Sequence, residues 1–233
     1  MNRQDFIALL KQQDIVINEK QYDDLVDFMN YTLTENEKFN LTAIKDEETF
    51  FEKMIFDSLL AVKDLDLVDK KAIDVGTGAG YPGMALALTT PLDLTLLDST
   101  NKKINYLNAY IKNNHLKNVL GVNARIEDFA HQNIEKYDYV FARAVAPLNI
   151  LLEMVMPLLK VGGVFIALKG PSGREEISLS QKAMKKLSCH VDKIIETELY
   201  LSKEKRLLIH IKKDQSTSAK YPRSYLLIKK QPL

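Results

Sequence analysis

Apolar residues recur at helical spacing through the first part of the chain and in strand-like runs thereafter. Phe6, Leu9 and Leu10, then Leu25, Phe28 and Met29, then Phe50, Phe51, Met54, Ile55, Leu59 and Leu60 fall three or four positions apart. That spacing lines one face of a helix. Residues 3–62 are therefore expected to be helical, and residues 1–65 to form an N-terminal helical cap on whatever follows. Beyond Lys70, apolar runs at 72–76, 93–97, 118–122, 137–142 and 163–168 alternate with helical stretches. Such alternation predicts parallel strands joined by right-handed crossovers, with ligands at the strands' carboxyl ends. After a helical stretch at 182–187 the pattern changes, because runs at 191–199 and 206–211 follow one another with no helix between. They are expected to form an antiparallel hairpin closing the sheet. Residues 66–233 thus read as one α/β domain, uninterrupted by repeats or low-complexity linkers.

The densest signal lies where the first strand candidate ends. Ala72-Ile73 run into Asp74, and Gly76, Gly78, Gly80 and Gly83 follow before Met84-Ala85-Leu86-Ala87-Leu88. Strand, tight turn and helix is the natural reading, and glycines at this density bring backbone close to a ligand at a helix start. Gly78 to Gly83 also satisfies the G-x-G-x-x-G pattern of dinucleotide binders, a weak signal alone. Two residues favour S-adenosylmethionine instead. Asp74 stands where a dinucleotide site usually continues its apolar strand, and its carboxylate suits the cofactor's ammonium, directly or through water. Pro82 removes one N–H donor that a pyrophosphate would use, whereas S-adenosylmethionine carries no phosphate. Asp98 ends the second strand candidate about twenty residues on, where an acid grips ribose hydroxyls in either class. The hairpin ending then favours the Rossmann-like class I fold of S-adenosylmethionine-dependent methyltransferases over a dinucleotide domain.

Composition narrows the rest. The 233 residues, 46% hydrophobic and 27% charged, suit an ordinary globular protein with a sizeable core. Cys189 is the single cysteine, so no internal disulfide is possible, and no His/Cys spacing points to a metal. On a strand candidate that thiol reads as core filler. The N-terminus opens an amphipathic segment, and no apolar run approaches the roughly 20 residues of a membrane span. A cytoplasmic enzyme without membrane association, acting as a monomer, is expected. A net charge of +1 excludes a globally basic nucleic-acid binder. Positive charge clusters locally, however: Lys203, Lys205, Arg206, Lys212, Lys213, Lys220, Arg223, Lys229 and Lys230 face only Glu204 and Asp214. RNA or DNA contact is one reading of that cluster, and a solvated surface is the other.

A family resemblance rests on an ordered set of short motifs. Phe39-Asn40-Leu41-Thr42-Ala43-Ile44, Asp57-Ser58, Asp74 to Gly83, Leu97-Asp98-Ser99-Thr100-Asn101-Lys102-Lys103, Ala142 to Ala146, Ala167-Leu168-Lys169 and Tyr221-Pro222-Arg223 resemble the signatures of the bacterial glucose-inhibited division protein B family. Members, also called RsmG, are 16S ribosomal RNA guanine-N7 methyltransferases. The likeness runs from about residue 25 to the C-terminus. It implies S-adenosylmethionine as cofactor, 16S ribosomal RNA or the small ribosomal subunit as partner, and methyl transfer to N7 of a guanine in the 530 loop.

The resemblance also implies cofactor contacts at Gly76, Gly78, Gly80, Tyr81, Asp98, Ile126, Glu127 and Arg143, beside the Asp74 argued above. Ile126 and Glu127 follow the third strand candidate, where a sheet-end loop flanks an adenine, whereas Phe129 reads as core. Tyr81 either stacks on the base or packs against the cap. Arg143 closes the fourth strand and meets either the cofactor's carboxylate or an RNA phosphate. Beside a cationic methyl donor it needs an anionic neighbour, for which Glu127 and Asp74 are the candidates. The RNA-binding candidates are Lys102, Lys103, Lys169, Arg206, Lys220 and Arg223, with Lys169 best placed at the end of the fifth strand. Asn40 reads equally as a helix cap.

Methylases of exocyclic amines usually carry an Asn/Asp-Pro-Pro-aromatic loop after the fourth strand, where this chain has Arg143-Ala144-Val145-Ala146-Pro147. Guanine N7 offers a lone pair and has no proton to remove, so no catalytic acid or base is named and alignment is the site's task. Two departures from the family stand out: Met54 replaces its usual histidine, and Ser224-Tyr225-Leu226-Leu227-Ile228 replaces its Gly-x-Pro turn with an apolar, strand-like run. The rival readings are an NAD(P)-dependent oxidoreductase, a methyltransferase-like RNA binder without turnover and, less favoured by the basic tail, a small-molecule methyltransferase.

Overall fold

The computed structural model describes residues 2–233. Helices α1 (Arg3–Lys11) and α2 (Glu19–Phe39) come first, each started by an asparagine whose side chain accepts an amide of the first turn. Asn40 ends α2 in the left-handed conformation, so it is a C-terminal cap. A third helical segment follows as α3 (Glu47–Phe50), a π-helical turn (Phe51–Phe56), α4 (Asp57–Leu59) and a 3-10 turn (Leu60–Val62). A π turn widens the helix locally and is frequent at functional sites.

Strands β1 (Lys71–Val75), β2 (Asp93–Asp98), β3 (Val119–Asn123), β4 (Tyr137–Arg143) and β5 (Leu159–Lys169) alternate with α5 (Gly83–Thr89), α6 (Asn101–Asn113), α7 (Ile126–Gln132) and α8 (Leu148–Val155). Helices α9 (Gly173–Leu179) and α10 (Gln181–Leu187), strands β6 (Cys189–Glu198) and β7 (Lys205–Lys213), and helix α11 (Tyr225–Lys230) complete the chain. The sheet order is β3-β2-β1-β4-β5-β7-β6, parallel through β5. β7 inserts antiparallel between β5 and β6, so the last hairpin closes the sheet as the sequence pattern predicts.

Alternation along each strand divides the core in two. Ala72, Leu94, Leu96, Phe141, Ile166 and Leu168 face α1, α2 and the third helical segment, while Ile73, Val75, Leu97, Val140, Phe165 and Ala167 face α8 and α10. Cys189 is buried, and burial pushes its thiol up to about 12, as expected of core filler. Among the described residues no helix is long and apolar enough to cross a membrane. The expected strand-like tail is a helix: Tyr225 and Ile228 turn inward one turn apart, while Leu226 and Leu227 face solvent. Strand order reverses between β1 and β4, and the crevice opens there, above the carboxyl ends.

Candidate cofactor and substrate cleft

The loop after β1 is shaped by its own hydrogen bonds. The amides of Gly76 and Thr77 donate to Leu97 O, those of Gly80 and Tyr81 to Thr77 O, and that of Met84 to Gly80 O. The amide of Gly78 donates to Asp98 Oδ2 at 3.0 Å, and that of Gly83 to Asp74 Oδ2 at 2.8 Å. Gly76 adopts φ +69°, and a Cβ there would stand 2.6 Å from Val145 Cγ2. Only glycine lets this loop pass under the β4–α8 connection.

Asp74 is directed inward. Its Oδ2 also accepts the Thr77 hydroxyl at 2.7 Å, while Oδ1 is buried with no partner among the described residues. Burial, outweighing these bonds, raises its carboxyl to about 6. In this position it braces the loop and lines neither cavity of the cleft. Asp98, at the end of β2, accepts the amides of Gly78 and Thr100 through its two oxygens, with Lys103 Nζ 3.9 Å away.

Two connected cavities lie over the strand ends. The first, about 310 Å³, is lined by Gly76, Asp98, Lys103, Arg125, Ile126, Glu127 and Tyr225 among others. Glu127 is buried in the first turn of α7 and accepts Arg125 Nε at 2.8 Å. The second, about 610 Å³, is lined by the glycine loop from Gly76 to Ala79, Lys53, Met54, Asp57, Arg143, Lys169 and Arg206 among others. Gly76, Lys103 and Ala144 border both. Ala144 holds φ +54°, an uncommon conformation for alanine that places the backbone directly after Arg143 at the junction.

The second cavity is walled by held cations. Arg143 Nη1 donates to Lys53 O at 2.7 Å and to Asp57 Oδ2 at 3.3 Å, and Nη2 donates to Met54 Sδ at 3.3 Å. Arg206 Nε donates to Asp57 Oδ1 at 3.2 Å, and its Nη2 to Glu204 Oε2 at 2.9 Å. Asp57, 4% exposed, therefore bridges two arginines. The anionic neighbour of Arg143 is thus Asp57, and not the expected Glu127 or Asp74, because the π turn and α4 carry Asp57 over the end of β4. Met54 gives Arg143 a sulfur acceptor. Lys169 Nζ donates to Ala146 O at 2.9 Å and Glu176 Oε2 at 2.8 Å.

The remaining expected residues contribute less to the cleft. Tyr81 is 3% exposed and packs against Phe28 and Phe50. Its ring thus packs against the N-terminal helices while the residue also borders the second cavity. Gly80 approaches Leu107 and Phe28 on that buried side. Phe129 is partly buried against the second core layer. Lys102 is exposed at the start of α6 and lines neither cavity. Lys220 is exposed with its ammonium over the Tyr221 ring, and Arg223 is clamped to the fully buried Glu153. Lys103, Lys169 and Arg206 are the RNA-binding candidates brought to the cleft. Asp57, Lys53 and Ala144 were not singled out for the site from sequence. The available signals were the Asp57-Ser58 and Ala142 to Ala146 motifs and an acid inside an apolar helical pattern.

This donor set fits a cofactor without phosphate. The loop amides named above are committed to protein acceptors, so they form no donor array for a pyrophosphate, and the cavity beside Asp98 has apolar Ile126 and a carboxylate suited to ribose hydroxyls. Known proteins agree with the fold. M. jannaschii TYW2, solved with AdoMet, superposes with a TM-score of 0.57 at 16% identity, covering 73% of this chain and 79% of that one. P. horikoshii TYW2, solved with MeSAdo, gives 0.54 at 13% identity over 68% and 60%. At higher similarity, ribosomal RNA small subunit methyltransferase G of Clostridium botulinum (strain ATCC 19397 / Type A) is 39% identical over 93% of this chain and 92% of its own. That of Mesoplasma florum is 40% identical over 93% and 91%. Residues 21–208 match the GidB family model, described as rRNA small subunit methyltransferase G. With a match of that extent and relatives aligned almost end to end, the chain belongs to the GidB family of small-subunit rRNA methyltransferases.

Proposed function

We propose that this protein transfers a methyl group from S-adenosylmethionine to N7 of a guanine in the 530 loop of 16S ribosomal RNA, as a cytoplasmic monomer in which residues 1–65 cap the catalytic domain 66–233. The observation that carries the reading is the pair of cavities meeting at Gly76 and Ala144, one lined by Asp98, Ile126 and Glu127, the other by Arg143, Lys169 and Arg206.

When bound, S-adenosylmethionine supplies an electrophilic methyl on a sulfonium sulfur. Asp98 would accept the ribose hydroxyls, and Ile126 would give the adenine apolar contact. Gly76, Gly78 and Gly80 shape the loop between the two cavities, and Asp74 holds that loop closed through Thr77 and Gly83. Arg143 and Arg206, fixed on one carboxylate, present donors to a guanine O6 or to a phosphate without searching through rotamers. Lys169 is held likewise, by Glu176. Asp57 and Glu176 in turn offset the positive charge that guanine acquires on N7 methylation. No group is needed as general base, since N7 reacts through its lone pair; the residues serve alignment and electrostatics.

The experiment is methyl transfer from labelled S-adenosylmethionine to small ribosomal subunits of a strain lacking this protein, followed by cleavage mapping of N7-methylguanine. Modification of one guanine in the 530 loop, abolished by Gly78→Asp, is expected. Gly78 has φ +60°, and its amide holds Asp98, so an aspartate there strains the backbone and sets a second carboxylate beside the first. Cofactor binding with no transfer to any RNA would overturn the assignment.

A further inference from the structure

The C-terminal tail reaches the first cavity. Tyr225, the first residue of α11, lines that cavity together with Arg125, Ile126 and Glu127, and is the aromatic side chain in its lining. The Arg125 guanidinium carbon lies 5.1 Å from the Tyr225 ring centroid, a cation–π distance. Arg125 is held in turn by Glu127 Oε1. The tail itself is anchored: Ile228 is completely buried, and Arg223 clasps buried Glu153 through its amide, Nε and Nη2. Met154, beside Glu153 on α8, lines the same cavity.

We propose that the tail completes the cofactor site, with Tyr225, braced by Arg125, forming an aromatic wall against the adenine; this rests on the S-adenosylmethionine reading above. A planar ring with a guanidinium against it offers a purine both stacking and cation–π attraction. Glu127, Arg125 and Tyr225 form a continuous series from the α7 end of the cavity to α11, so the tail's docking and the cofactor's affinity are coupled.

Calorimetric titration with S-adenosylhomocysteine, and with adenosine alone, tests this on the full-length protein. Tyr225→Ala should weaken both ligands by the same factor, roughly 5- to 150-fold, the span of one base–aromatic stack. Tyr225→Phe should stay within about twofold, since the ring is retained. Leu226→Ala, at an exposed neighbour on the same helix, should bind like the wild type; Tyr225 packs on the second core layer, so the ligand-free unfolding midpoint of each variant is measured and binding is compared at a temperature where all are folded. Wild-type binding with Tyr225→Ala unchanged would overturn the wall alone. Loss confined to a destabilised Tyr225→Ala, with adenosine affinity unaffected, would also overturn it. Failure of the wild type to bind S-adenosylhomocysteine would sink the cofactor reading and the wall together.

Discussion

Replacing Arg223 by alanine separates two accounts of the same residue. From sequence it belongs to a basic tail that meets RNA; in the structure it is a partner of Glu153. Its Nε and Nη2 reach Glu153 Oε1 and Oε2 at 2.7 and 2.6 Å, and Nη2 also reaches Gln231 O at 2.9 Å. Glu153 is 0% exposed, whereas the Arg223 side chain keeps 21% exposure. The variant leaves a buried carboxylate with only the residue-223 amide, at 3.0 Å. Breaking a fully buried pair costs roughly 3–5 kcal/mol, and the partial exposure here brings the expectation to about 3 kcal/mol. In a chain of this size that lowers the unfolding midpoint by roughly 6–12 °C, readable by scanning calorimetry. Glu153→Leu combined with Arg223→Leu should recover most of the loss, because an apolar pair of similar bulk needs no partner. An unchanged midpoint with weakened binding to ribosomal RNA would refute the clamp and return Arg223 to the substrate.

Other consequences are equally concrete. Asp57→Asn leaves one acceptor oxygen where two arginines now share a carboxylate, so kcat/KM for methyl transfer should fall roughly 10- to 100-fold while S-adenosylhomocysteine affinity stays within about threefold; a change in cofactor affinity without a change in rate would contradict the bridging role. Gly83→Ala brings a Cβ to 2.2 Å from Leu96 Cδ2 and 2.8 Å from Asp74 Oδ2, and should cost about 1–3 kcal/mol in denaturant unfolding. Burial raises the Asp74 carboxyl from 3.8 to about 6. Since the folded state holds that proton more tightly than the unfolded chain, the stabilisation is complete below pH 3.8 and is lost as pH rises through about 6, an upper bound of about 3 kcal/mol. Asp74→Asn should therefore gain on the wild type between pH 4 and 7, and parallel stability profiles would rule the argument out.

What the sequence made legible is what local physics dictates. Five apolar runs alternating with helices require parallel strands, and each parallel strand ends where a ligand can meet Gly76, Asp98, Arg143 or Lys169. The Asp57 bridge was not legible, because its partners lie 86 and 149 positions away and nothing local pairs them. Asp74 points into its loop instead of the cleft because Gly83 and Thr77 offer donors that the letter pattern does not reveal. The tail misled for a related reason. Tyr225 to Ile228 is apolar throughout, and a short apolar run reads as strand or helix alike until a docking surface chooses. Here burial of Ile228 in the second core layer, together with the Arg223 clamp, selects a short helix.

The arrangement around Asp57 also ties the third helical segment to the cleft. Arg143 comes from β4 and Arg206 from β7, yet the carboxylate, the Lys53 carbonyl and the Met54 sulfur that hold them come from the π turn and its continuation into α4. A regular α-helix through Phe51–Phe56 would rotate Asp57 relative to Lys53 by part of a turn, and the two oxygens would no longer face both arginines. An overall charge of +1 then coexists with a cationic cleft, since Lys103, Arg143, Lys169 and Arg206 are gathered there while most carboxylates lie elsewhere. On the proposed N7 reaction, which needs no proton transfer, holding these cations in place before RNA arrives contributes to rate by alignment and electrostatics. For Arg143 and Arg206 the fixed points come from residues 53–57, and for Lys169 from Ala146 and Glu176.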